Sequence, residues 1–322
     1  LLRRIEELEQ AQKDKDTKEW IEQSQKIIKT YKAADNDKGA RRYNALWSMN
    51  QTLMPLTYSV PPKPFVDRRY SDKDPVARDA SEILQRCLSY EVQCVGMHDA
   101  LEDANEDFNL TSRGVVWARY SPLFALRETD TREYIDPDKL PDDVQEGELK
   151  NDDEGTFYLK KIEEKVDEEV ETDHVLFSDL LHGKAAKWKH VPWVARRVPM
   201  TRAELIKRFK RGSEPPLTID CNGTPKADAT DDERGYFAKA EVWELWCKRD
   251  RKVYWICPQW SEDFLDEVED PLQLDDFYPC PRPAYSTKTN DSLTPTPDYL
   301  LWQDIALELD DITARIKALT DA

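Results

Sequence analysis

The sequence predicts a mixed α+β fold, and three observations carry that prediction. Apolar residues recur at helical period over 75–101 and again over 302–319. The run AEVWELWCKRDRKVYWIC reads as a β-hairpin over 240–257. A polar, proline-rich tract over 279–297 separates the last helical segment from everything before it. The chain has 322 residues, 39% hydrophobic and 35% charged, with ten Trp and thirteen Tyr. That is enough apolar and aromatic mass for one large domain or two, and too much for a disordered chain. No run of about 18 apolar residues occurs, so no membrane span is expected.

The elements follow in order. Residues 1–34 read as a charged helix whose apolar positions are Leu1, Ile5, Leu8, Trp20, Ile21, Ile27, Ile28 and Tyr31, with KDKDTK as a candidate break. LLRRIEELEQ has none of the character of a secretory signal; it also lacks Met, and the chain is expected to be part of a longer product. Asn36, Asp37 and Gly39 signal a turn. RRYNALWSMNQTLM is a second helix, ended by the extended YSVPPKPFVDRRY, where Pro61, Pro62 and Pro64 forbid helical backbone. Asp74 and Pro75 supply an N-cap and first helical residue. Residues 75–112 then form one helix, or two with a break near Gly96, and Gly114 is the expected C-terminal stop.

VVWARY and then LFAL read as strands, as does TFYLKKIEEKV. HVLFSDLL leads to a turn at His182-Gly183, and PWVARRVPM is a short strand. Thr201 and Glu204 make a capping box for TRAELIKRF. Residues 211–234 are rich in Gly, Pro and Asp and are expected to form a mobile loop. The final helix is expected over 297–320, with Thr296 as N-cap and Pro297 at its first position. Trp302, Ile305, Leu309, Ile312, Ile316 and Leu319 are spaced 3, 4, 3, 4, 3 along it. That is a narrow seam suited to packing against another helix. Five prolines in 279–297 fix φ and remove donors, so this tract is an ordered connector or a linker, not helix or central strand.

The formal net charge is −18, which argues against gripping nucleic acid through its phosphates. The charge is uneven: residues 128–173 hold 19 acids against 6 bases, a net of −13, leaving −5 for the other 276 residues. The segment reads as a solvated acidic excursion, or as a surface that repels DNA or meets a basic partner.

Little in the sequence points to chemistry. Cysteines stand at 87, 94, 221, 247, 257 and 280 without CxxC or zinc-site spacing, and read as buried free thiols. His98, Glu102 and Glu106 share a helix face, but no second helix offers the Glu-x-x-His partner of a bundle metal site. His174, His182 and His190 lack HExxH or His–Cys company. Phosphate-binding and nucleophile-elbow motifs are missing, and nine glycines leave little scope for a phosphate cradle. The pairs Arg41-Arg42, Arg68-Arg69 and Arg196-Arg197, and KRFKR at 207–211, read first as ion-pair partners of an acidic chain. The chain is thus read as no enzyme, with no catalytic residue, metal or cofactor.

Several long phrases, in order, resemble the amino-terminal region of the portal proteins of short-tailed double-stranded-DNA bacteriophages. They are RRYNALWSMNQTLMPLTYSVPPKPFVDRRYSDKDPVARDASEILQRCLSY, RGVVWARY, DLLHGKAAKWKHVPWVARRVPMTRAEL, the 240–257 hairpin, and DPLQLDDFYPCPRPAYSTKTNDSLTPTPDYLLWQDIALELDDITARI. They cover roughly 40–127 and 174–320; residues 128–173 and 211–234 carry no match.

The resemblance implies a portal-type wing domain of helices and β-strands leading into a long stem-type helix. Residues 1–127 would be the helical part of the wing and 128–173 an acidic variable insertion. Residues 174–286 would be the α+β part with the hairpin, and 287–322 a proline-rich strap and helix entering the stem. Clip, second stem helix and crown are not among these residues. The implied assembly is a ring of about twelve subunits at one capsid vertex of the virion, built in the host cytoplasm. DNA would be packaged and ejected through it without sequence-specific binding. The implied partners are the major capsid protein, the terminase large subunit and then a tail adaptor protein, with no membrane. The seam from Trp302 to Leu319 would pack between helices of one or neighbouring subunits. A non-ring interaction adaptor with a coiled-coil-like terminal helix is the alternative the same seam allows.

Overall fold

The computed structural model describes residues 1–32, 44–68, 74–134, 150–152, 155–209, 239–260 and 263–320. The fold is mixed α+β. It divides into two compact units, Leu1–Ala118 with Thr172–Ala322, and Arg119–Glu171. The acidic segment over 128–173 falls almost wholly within the second. The loop expected over 211–234, the turn at Asn36–Gly39, Arg41-Arg42, Arg69 and Cys221 lie outside the described residues.

The larger unit is organised around a five-stranded antiparallel sheet. Its strands, β5 (Leu180–His182), β6 (Trp193–Thr201), β7 (Lys239–Cys247), β8 (Lys252–Ile256) and β9 (Asp266–Glu269), lie in chain order. The hairpin is the one the sequence indicates: Trp243 faces Ile256 and Cys247 faces Lys252. In β7, residues 242–247 are buried without alternation, because both faces are covered.

One face meets helix α1 (Leu2–Lys13), whose Leu8 packs with Leu181, Trp193, Ala195, Leu245 and Ile256. The other face carries Val194, Val242, Trp246 and Trp255 against Trp117, Leu205, Phe277 and Leu293. Trp117, Trp246 and Phe277 meet edge to face, with ring centroids 6.4 Å and 5.4 Å apart.

A buried ion pair crosses this core. Arg196 Nε donates to Glu244 at 2.7 Å and Nη1 to Asp173 at 3.1 Å. The second Glu244 oxygen accepts from Trp246 Nε1 at 2.9 Å, and the Arg196 guanidinium lies 5.0 Å from the Trp117 ring centre. Arg197 pairs with Asp179 and Glu241. The 196–197 pair is therefore internal wiring, as its acidic setting suggested.

The helices follow their local signals closely. The first helix breaks at Asp14, whose side chain caps α2 (Lys15–Tyr31) by accepting from Thr17 N. Helix α3 spans Ala45–Thr57 and is capped by Asn44. Helix α4 (Pro75–Cys94) starts at Asp74-Pro75 and is parted from α5 (Met97–Thr111) at Gly96, which sits at φ +65°. Helix α6 (Arg202–Arg208) carries the full Thr201–Glu204 capping box.

Four expectations are corrected. Helix α5 ends at Ser112, itself left-handed at φ 64°, and not at Gly114. VVWARY and LFAL belong to one strand, β2 (Val116–Tyr134). Cys87 and Cys94 are exposed, while Cys247, Cys257 and Cys280 are buried; α4 has no buried face to hold the first two. The last helix, α7, spans Gln303–Thr320 and not 297–320. A 3₁₀ turn over Asp298–Leu301, with Pro297 as its N-cap, precedes it, and Tyr299 in that turn is buried with Ile27 and Leu46.

The smaller unit is built on a three-stranded antiparallel sheet in which β4 (Gly155–His174) lies between β2 and β3 (Lys150–Asp152). Strand β3 pairs with β4 only over Gly155–Phe157. Within this unit Arg119 pairs with Glu171, and Tyr120 donates to Glu168 at 2.8 Å.

Candidate functional site

The proline-rich tract and helix α7 form the candidate site, and their placement begins at the tripeptide Ser112-Arg113-Gly114. All three residues are buried at the end of α5. Gly114 is small because α5 turns back on it: a Cβ there would lie 2.3 Å from the Ala104 carbonyl oxygen and 3.2 Å from Phe108 Cβ. Strand β1 (Arg113–Gly114) then pairs antiparallel with β10 (Ala284–Tyr285), inside the proline tract.

Ser112 ties the tract at two more points. Its carbonyl accepts from Ser286 N at 3.2 Å, and its hydroxyl accepts from Asp298 N at 3.1 Å. A left-handed serine costs local strain, of the order of 1 kcal/mol, and persists where contacts over-determine it.

The rest of the tract is held in the same way. Pro279 O accepts from Ala118 N at 2.9 Å, and Tyr278 OH donates to Val191 O at 2.6 Å. Thr296 N donates to Thr287 O at 2.9 Å, closing a loop within it, and the Ser286 hydroxyl donates to Asp298. Pro279, Pro283, Pro295 and Pro297 are buried. Prolines freeze the unfolded chain too, so fixing this path costs less entropy than it would for other residues. The tract is thus an ordered strap along the body of the larger unit.

Arg113 is the charged centre beneath it. Its guanidinium donates to the carbonyl oxygens of Phe177 and Leu180, the latter at 3.1 Å, and stacks 4.2 Å from the Trp20 ring centre. Burial pulls its pKa down to about 10, opposed by Tyr285 and Asp107. It stays charged at neutral pH. Burial also lowers the neighbouring His182 to about 4, and Arg113 adds to that shift, so this imidazole is neutral. Cys280 in the strap is pushed up to about 12 by burial and is an unreactive thiol.

The strap delivers the chain to α7 through Tyr299, which is buried with Ile27, Leu46 and Leu110. Trp302 stacks edge to face on Tyr299 at 4.7 Å. The seam divides at this point. Trp302 belongs to the interior cluster, whereas Ile305, Leu309, Ile312, Ile316 and Leu319 are 70%, 48%, 46%, 60% and 81% exposed. The 18 residues of α7 make a rod of about 27 Å at 1.5 Å per residue. None of them is buried.

His98, His174 and His182 have structural partners, with His182 Nδ1 3.1 Å from the Gly183 carbonyl oxygen. His98 bonds Tyr58 OH at 2.9 Å and lies 3.5 Å from Glu102. His174 Nε2 bonds Asp107 at 2.9 Å, and the same Asp107 oxygen accepts from Phe177 N. No group of three or more metal-ligating side chains converges among the described residues, and no described helix is long and apolar enough to cross a membrane.

Sequence reasoning pointed to the strap and to the periodic apolar positions of α7 but missed Ser112, Arg113 and Gly114. An arginine just past a helix end normally reads as a solvated partner of the helix dipole. Its burial follows from a pairing with residues 170 positions away. No known protein family model matches this sequence, and no curated protein matches it.

Proposed function

We propose that this chain is the wing and first stem segment of a bacteriophage portal protein, a structural conduit with no chemistry of its own. In this reading it is a subunit of a ring of about twelve copies at one capsid vertex of the virion. Genomic DNA passes through the ring, and terminase and then tail adaptor proteins dock on it. The ordered phrases of resemblance motivate the reading. The observation that carries it is the apolar stripe of helix α7, left exposed at the end of a strap that is itself fixed by hydrogen bonds and buried prolines. A strap of this kind would hold a helix in place against force from translocating DNA. The exposed isoleucines and leucines of α7 would be covered by stem helices of the same or neighbouring subunits.

The net charge of −18 fits a conduit that must not grip its cargo. Carboxylates repel phosphates weakly within roughly 8–10 Å at physiological salt, which favours sliding over binding. The test is electron microscopy of the protein expressed from its complete gene. Closed rings viewed end on, with a central hole wide enough for duplex DNA, are the expected result. Small ringless particles across a range of salt would overturn the reading in favour of a non-ring adaptor that uses the same helix to bind one partner.

A further inference from the structure

The larger unit carries a groove whose charge runs against that of the chain. Its volume is about 860 Å³, and Lys187, Lys189, Lys248, Arg282 and Lys288 line it. Asp276 is the single acid among the described lining residues. None of the five cations has a carboxylate within 4.0 Å among the described residues. Lys248 rests 5.5 Å from the Tyr278 ring centre, and Lys288 rests 6.0 Å from that of Tyr285. Lys248, Arg282 and Lys288 thus lie near aromatic rings, and the five cations have no ion-pair partner among the described residues. Between them the groove is apolar, with Trp188, Tyr278 and Leu293. Five cations beside apolar side chains, without an ion-pair partner among the described residues and on a chain of net charge −18, call for a partner that is acidic and partly apolar.

The smaller unit supplies a surface of that composition. In β4, residues 166–170 read Val-Asp-Glu-Glu-Val and are all exposed, Val166 at 62% and Val170 at 47%. Past Phe157 the strand has β2 on one side and no described strand on the other. It therefore offers an edge as well as two faces. Val166 and Val170 share one face with Glu168, whose carboxylate accepts from Tyr120, and Asp167 and Glu169 share the other.

We propose that the basic groove of one copy receives the acidic edge of β4 from a second copy, as a head-to-tail contact. This rests on the ring assembly proposed above and names one of its interfaces. A closed ring of identical subunits needs two different, mutually complementary patches on every subunit, and the groove and the strand meet that need. A DNA backbone satisfies the cations but offers no apolar side chains to Trp188, Tyr278 and Leu293, whereas the strand carries exposed Val166 and Val170 beside its acids, so the acidic strand is the better occupant.

The experiment mixes isotopically heavy and light copies of the protein from its complete gene, couples carboxylates to amines with a zero-length carbodiimide, and maps the crosslinks by mass spectrometry. Heavy-to-light crosslinks joining Lys187, Lys189, Lys248 or Lys288 to Asp167 or Glu169 are expected. The K187E/K248E/K288E variant should weaken association of heavy and light copies by about tenfold or more in analytical ultracentrifugation, because it sets like charges against each other; association is the readout for this variant, since it also removes three of the coupling amines. Adding D167K and E169K should restore association. All five side chains lie at the surface, and a thermal melt checks that each variant folds.

Rings without mixed crosslinks, or with crosslinks only inside one chain, overturn the inference and leave the portal reading intact. Mixed crosslinks without rings support the contact and overturn the ring. Capture of a short DNA duplex by the wild-type groove, lost in the triple variant and unaccompanied by mixed crosslinks, would make phosphate the occupant and overturn the inference.

Discussion

Strand β7 and helix α7 both announce themselves by dense apolar residues at the period of their element, yet only one finds cover in its own chain. Val242, Leu245 and Ile256 of the hairpin are fully buried, whereas Ile305 and Ile316 of α7 are 70% and 60% exposed. The difference lies in what the chain lays beside each. The hairpin is covered by α1 on one face and by Trp117, Phe277 and Leu293 on the other. Helix α7 has the Tyr299–Trp302 cluster at its first turn and nothing described beyond it. Apolar period therefore tells which face of an element must be buried; it does not tell whether the same chain does the burying. Helix α4 repeats the lesson, with Val76, Ile83 and Leu84 all more than half exposed.

The sharpest way to break this comparison is to damage the covered side. Removing the Glu244 carboxylate in Glu244→Ala leaves the Arg196 guanidinium buried beside Trp117 and the Trp246 indole N–H without its acceptor. Breaking a buried pair from one side typically costs about 3–5 kcal/mol. Urea unfolding followed by tryptophan fluorescence should show a loss of that size. A loss under about 1 kcal/mol would mean that the pair is solvated and the core looser than described.

A smaller loss is expected at the strap anchor. In Gly114→Ala the new methyl group meets the Ala104 carbonyl oxygen of α5, which is backbone and cannot rotate away. Overpacking of this kind costs about 1–3 kcal/mol. The break should appear first in the β1–β10 pairing, as faster hydrogen exchange at Ser286 N and Asp298 N, while the hairpin amides stay protected. Uniform loss of protection would show that strap and sheet unfold as one unit.

The strap side also has a pH signature. His182 has a folded-state pKa of about 4 against an ordinary value of 6.5, set by burial and then by Arg113, with the Gly183 carbonyl and then the Asp14 charge working the other way. The unfolded chain therefore takes up the proton first. The stability tied to the neutral imidazole is complete above about pH 6.5 and is lost as pH falls towards about 4. In His182→Gln the melting temperature should fall less steeply across that window than in the wild type, by a few °C at the acid end. Identical slopes would place the acid sensitivity elsewhere.

Much of this was legible because local signals fix local structure. Asp74-Pro75, Gly96, Thr201 with Glu204, and the KRDRK turn each act within a few residues, and each appears where the sequence indicates. The strap read as extended for the same reason, since proline acts on its own backbone. What stayed hidden depends on distant partners. Ser112 ends α5 in place of Gly114 because Ser286 and Asp298, far along the chain, need its carbonyl and hydroxyl. The start of α7 moved to Gln303 because Tyr299 and Trp302 turn inward to Ile27 and Leu46 before the helix can begin. No periodicity within 297–320 records that tertiary contact.

The smallest effect on folding is expected where the candidate site is largest. Serine at Ile305, Ile312 and Ile316 removes apolar surface that is already in water. Each change should therefore move the stability of the isolated chain by no more than about 0.5 kcal/mol. If α7 packs between subunits as proposed, the same three substitutions should abolish assembly of the protein expressed from its complete gene, read as loss of high-mass particles in analytical ultracentrifugation. Together these outcomes separate α7 from the hairpin, where one buried change suffices to damage the monomer. If the triple variant instead melts several degrees lower and still assembles, α7 is an internal helix whose cover lies within its own chain, and the contrast between the two regions disappears.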